Sequence, residues 1–95
     1  MYLYAIQDST SGYIKIGYSA NPEHRLRELQ TGNSGALRLI HTSQIKKDRA
    51  RLVEQQLHKE IGHLKIRGEW FNINESFARE MIDYAIIRYE NDILI

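Results

Sequence analysis

Four polar residues of this 95-residue chain, Tyr4, Lys15, Arg25 and Glu54, fall at structured positions along the margins of its apolar patterns. Together they offer a phenol, an ammonium, a guanidinium and a carboxylate: a group that can take part in proton transfer, two cations for an anionic substrate and a ligand for a hard metal. The chain has no cysteine. That excludes disulfides, thiolate metal sites and cysteine nucleophiles, and leaves carboxylate, imidazole and water as metal donors. Each of the four also has an ordinary explanation. A strand tyrosine packs with its hydroxyl at the surface, and a strand lysine solubilises an edge. Arg25 can pair with Glu23 or Glu28, and Glu54 with Arg51 or His58. Taken singly, these explanations suffice.

Positioning the four falls to short elements. Residues 2–7 and 12–17 are β-rich runs separated by the turn-rich Asp8-Ser9-Thr10-Ser11-Gly12, which predicts an antiparallel hairpin. On a period of two, Leu3 and Ala5 share a core face, as do Ile14 and Ile16. The opposite face carries Tyr2, Tyr4 and Ile6 on one strand and Tyr13, Lys15 and Gly17 on the other, so Tyr4 and Lys15 fall on the same side. Asn21-Pro22-Glu23 predicts a helix start, with Asn as cap, Pro at the first helical position and an acid in the first turn. This helix runs to about Gln30 with Leu26 and Leu29 inward and Arg25 at the edge of their stripe. A third strand is expected over 36–44.

Asp48 is expected to cap a second helix reaching about Ile61, closed by a left-handed Gly62. Its stripe, Ala50, Val53, Leu57 and Ile61, puts Glu54 at the margin, with Arg51 and His58 just beyond. Residues 69–73 read as a short strand or packed bend. A closing helix over about 74–92 buries some of Phe77, Met81, Ile82, Ala85 and Ile86. The layout is ββαβα plus a C-terminal helix: one α+β domain over 1–95, a three-stranded antiparallel sheet flanked by helices.

The net charge of +1 hides an uneven distribution. Residues 1–67 carry eleven bases against six acids, a balance of +5, and residues 68–95 two bases against six acids, a balance of −4. Such a split can present a positive face to a polyanion and equally fits solvated surface charge. No leader pattern opens the chain, and no run approaches the roughly 18 apolar residues of a membrane span. A cytoplasmic protein with no membrane partner is expected.

Tyr2-Leu3-Tyr4, then Lys15-Ile16-Gly17 eleven residues on, then Arg25, then Glu54-Gln55-Gln56-Leu57-His58 resemble the GIY-YIG nuclease superfamily in order and spacing. More narrowly, Lys15-Ile16-Gly17-Tyr18-Ser19, Glu54-x-x-Leu57-His58 and Gly68-Glu69-Trp70-Phe71 resemble its short branch named after a bacteriophage T5 open reading frame. The resemblance covers residues 2–73. Tyr2 stands where the superfamily has its name-giving glycine, and Lys15 where most members place tyrosine, as in the phage-type branch. The resemblance implies a GIY-YIG-like domain acting as a DNA endonuclease that leaves 5′-phosphate and 3′-hydroxyl ends. Tyr4 would then activate or orient the water, Arg25 would donate to non-bridging phosphate oxygens, and Glu54 would hold one Mg²⁺ or Mn²⁺. Lys15 would lower the pKa of Tyr4 or replace a second phenol.

Tyr18 and His58 are further catalytic candidates, the first through the scissile phosphate, the second by assisting the leaving group or contacting phosphate. Gly17, Asn72, Arg51 and Lys47 are candidate substrate contacts; Arg38, Lys46 and Arg49 could extend a phosphate-tracking surface. Trp70 and Phe71 read as core. The same fold without catalysis would make a nucleic-acid-binding module, or a protein-interaction module using the acidic last helix. Cutting both DNA strands with one small site takes a homodimer or two visits.

Overall fold

The first two runs pair as the turn between them requires. In the computed structural model, which describes residues 1–90, β1 (Tyr2–Asp8) and β2 (Ile14–Ser19) form an antiparallel hairpin, with Gly12 at φ 79° in its turn. Then come α1 (Pro22–Thr31), β3 (Leu37–Gln44) and α2 (Ala50–Glu60), a 3₁₀ turn (Gly62–Leu64), β4 (Lys65–Arg67), β5 (Trp70–Phe71) and α3 (Glu75–Tyr89). The last residues of the expected 74–92 helix lie outside the described residues. Among the described residues no helix is long and apolar enough to cross a membrane.

The sheet has five strands in the order β3-β1-β2-β5-β4, all neighbours antiparallel, rather than the three expected. Its two extra strands come from a tight hairpin in which Arg67 faces Trp70 across Gly68 and Glu69. Gly68 sits at φ 53°, a left-handed conformation that a side chain would penalise. Strands of three and two residues are too short to show alternation.

Leu3, Ala5, Ile14 and Ile16 meet Val53, Leu57 and Ile61 from α2 and its end, and Ala78, Ile82 and Ala85 from α3, in one core. The expected core face is therefore the observed one. The opposite face is buried as well: Tyr4 is 1% exposed and Ile6 fully covered, and Tyr4 bonds to Arg25 of α1 there. Two helices on one face and one on the other enclose the middle of β1.

Two expected helix ends differ. Asp48 does not cap α2; Arg49 takes the cap position without a side-chain hydrogen bond. Gly62 is not left-handed, because the chain tightens directly into the 3₁₀ turn, Leu64 N–H donating to the Ile61 carbonyl at 2.9 Å. In α3, Asn74 is a working cap whose Oδ1 accepts from Phe77 N–H at 2.8 Å. Asn74→Ala is expected to cost about 1 kcal/mol, read as a lower urea midpoint at unchanged slope.

Candidate active site

The site forms where β2 outlasts its neighbour. Strand β5 pairs only with Ile14 and Lys15, so the outward backbone groups further along β2 need other partners. Ile16 N–H donates to the Glu69 carbonyl at 3.1 Å. The Ile16 carbonyl accepts from His58 Nε2 at 2.8 Å. Tyr18 N–H donates to the Glu54 carboxylate. Glu54 and His58 stand one turn apart on α2, so both reach the same stretch of strand. His58 is therefore not a free surface histidine; its ring also meets Phe71 edge-on, centroids 5.1 Å apart.

A carbonyl can only accept, so Nε2 of His58 carries the hydrogen and a neutral ring keeps its Nδ1 lone pair. Glu54, His58 and Glu69 each offer a ligand atom, all within 4.8 Å of one another. Glu54 is only 8% exposed. Burial first, then the charge of Glu69, pushes its carboxyl up to about 7, opposed by Lys15 and the Tyr18 N–H. Near neutral pH this carboxyl is poised between its two forms.

On the other face of β2, Tyr4 lies opposite Gly17. The phenol fills the space a side chain would take there: a Cβ on Gly17 would stand 2.4 Å from the Tyr4 hydroxyl and 2.6 Å from its Cζ. Arg25 of α1 hydrogen-bonds the same hydroxyl. Burial raises the phenol above its ordinary value, and the Arg25 bond works against that. The cation touching Tyr4 is thus Arg25, not the expected Lys15. Both Glu69 and Glu54 also act on Tyr4 through their charge, so the two halves of the site lie within electrostatic reach.

Lys15 shares the Tyr4 face, as alternation predicts, but its Nζ is 2.9 Å from Glu69 Oε1 and 5.9 Å from the Trp70 ring centroid. It is 8% exposed. The structure thus joins Tyr4 to Arg25 and links Lys15, Glu54 and His58 through Glu69. Sequence reasoning missed Glu69 as a site residue, although Gly68-Glu69-Trp70-Phe71 was its visible signal. Tyr18 is exposed, linked to the group through its backbone. Arg51 is exposed one turn before Glu54, and Lys47 is exposed ahead of α2. Asn72 is not brought in: it lines a separate cleft of about 490 Å³ with Gln7, Leu64 and Phe77.

Against known families, residues 1–86 match the model described as the T5orf172 domain. No curated protein and no solved structure gave a match.

Proposed function

Because the chain belongs to the T5orf172 domain family, named after a phage T5 open reading frame and associated with the GIY-YIG-like nuclease fold, we propose that it is a DNA endonuclease. It hydrolyses phosphodiester bonds with one divalent cation, Mg²⁺ or Mn²⁺, leaving 5′-phosphate and 3′-hydroxyl ends, and works in the cytoplasm. Duplex cleavage then takes two copies or two visits. One observation carries this reading: a Tyr4–Arg25 pair from β1 and α1 and a Glu54, His58, Glu69 donor set from α2 and the β4–β5 turn converge on the end of β2.

The donor set fits a hard cation. The two carboxylates suit Mg²⁺, which takes one or two such ligands and fills its remaining positions with water and phosphate oxygen, and the imidazole nitrogen makes the set a better match to Mn²⁺. The Nε2 hydrogen bond to the Ile16 carbonyl orients His58 as a backbone carbonyl orients many metal-bound imidazoles. When bound, the cation supplies Lewis acidity toward a phosphoryl oxygen and an acidified water.

The protein's own groups do the rest. Arg25 can only donate, so the Tyr4 oxygen accepts and keeps its own hydrogen to give. A buried phenol of raised pKa stays neutral near pH 7, which suits Tyr4 to orienting the attacking water rather than to acting as a standing phenolate. The Arg25 side chain is 42% exposed and meets Glu28 only at 3.6 Å. Its remaining donors can face a phosphate, the planar fork matching two non-bridging oxygens. Lys15 adds positive charge beside the two acids.

The test is nicking of supercoiled plasmid in Mg²⁺ or Mn²⁺. Arg25→Ala and Glu54→Ala are each expected to slow it at least about a hundredfold, and Tyr4→Phe, which keeps the buried ring, about 10–100-fold. Nicks should reseal with DNA ligase without end repair. Equal nicking by the wild type and all variants would mean that the activity comes from elsewhere.

A further inference from the structure

Glu69 is the one acid of this site that faces two ways. Its Oε1 is 2.9 Å from the Lys15 ammonium, and the same carboxylate belongs to the group whose donor atoms lie within 4.8 Å. Its side chain, 38% exposed, sits beside the left-handed Gly68 in the two-residue turn between β4 and β5. Its backbone is fixed, since its carbonyl holds Ile16 N–H; only the side chain can choose a partner.

Lys15 is held differently. Its stem is nearly covered on β2, on the Tyr4 face, with the ring of Trp70 nearby. With its stem held on the strand, an ammonium that loses Glu69 remains close to the site. It stays there with Glu54 as its remaining acidic neighbour, and turned to whatever anion enters. A divalent cation drawn by Glu54, His58 and Glu69 also repels that ammonium at short range.

We propose that Glu69 is a positioning residue that exchanges partners: without a cation it holds Lys15, and when Glu54, His58 and Glu69 take up the cation it releases Lys15 toward the substrate phosphate. This rests on the nuclease reading and adds an order to it, cation first and DNA second. It separates two possible roles for the Lys15–Glu69 pair. A merely structural bridge pinning β5 to β2 would persist when the cation binds.

The test uses the full chain carrying ¹³C,¹⁵N-lysine and ¹³C-glutamate, titrated with Mg²⁺ alone, with no DNA. The Lys15 Cε and Nζ signals are expected to move with the same midpoint as the Glu54 carboxyl signal. In calorimetry, Glu69→Gln should weaken Mg²⁺ binding about tenfold. Lys15→Met should tighten it about fivefold, and that gain should vanish in the Lys15→Met, Glu69→Gln double variant. Amide dispersion of each variant reports its folding, and the wild-type titration stands alone if a variant fails to fold. A Lys15 signal that stays still while Glu54 titrates overturns the exchange and leaves the nuclease reading intact. If neither signal moves, no cation binds and both fall.

Discussion

Glu54→Gln is expected to make the protein more stable at pH 8, by about 1–3 kcal/mol, while slowing plasmid nicking at least about a hundredfold. The two effects have one origin. The carboxyl titrates near 4.5 when exposed and at about 7 in the folded chain, chiefly because it is buried and then because Glu69 is close. Between those values the folded state holds a proton that the unfolded state has released. Stability therefore falls as pH rises through that window and levels off above about 7. Glutamine still accepts from Tyr18 N–H and removes the buried charge, so this loss should disappear from its pH profile. The cation readout runs the other way: Mg²⁺ should raise the melting temperature of the wild type and leave the variant unmoved. Because cation and proton compete for Glu54, the acid limb of the nicking rate should shift to lower pH as Mg²⁺ is raised. A variant less stable than the wild type at pH 8, with the same pH profile, would show that Glu54 is not a strained carboxylate.

Gly17→Ala should produce the largest loss of stability of any single methyl added to the sheet, about 3 kcal/mol, measured by urea unfolding. The new carbon would lie 2.4 Å from the Tyr4 hydroxyl and 2.6 Å from its Cζ. Neither side can yield cheaply: β2 is registered against β1 along its whole length, and the Tyr4 ring is buried and tied to Arg25. For a domain of this size, whose whole stability is on the order of 5–10 kcal/mol, that is a severe change. If Gly17 serves the ring rather than the substrate, Tyr4→Ala should cost much less in the Gly17→Ala background than in the wild type. Additive costs would point instead to a backbone role for the glycine.

Much of this arrangement was legible in the sequence because periodicity carried it. Alternation placed Tyr4 and Lys15 on one face, and the stripe of α2 placed Glu54 at its margin, where it is in fact buried. The helix start at Asn21-Pro22-Glu23 was equally plain, since Asn21 accepts from His24 N–H and Pro22 opens the helix. What periodicity cannot carry was lost. Strands β4 and β5 are too brief to alternate, and without them Glu69 has no address. The burial of both β1 faces was also hidden, because a tyrosine on an outward face reads as a surface ring until a helix is laid over it. The partner of Tyr4 was mistaken for the same reason. Residues on one sheet face share a direction, but only the approach of α1 decides that Arg25 rather than Lys15 meets the phenol.

The shortness of β5 has a further consequence. A strand that outruns its neighbour exposes a row of unpaired donors and acceptors, a template on which another extended chain can add itself. Here Glu54 and His58 occupy the Tyr18 N–H and the Ile16 carbonyl, and the Glu69 backbone occupies the Ile16 N–H. The groups gathered at this candidate site are thus also the guards of an open sheet margin. Removing them would do more than silence a site. It would leave the Tyr18 N–H and the Ile16 carbonyl without their side-chain partners, on a strand margin of the kind where another extended chain can pair.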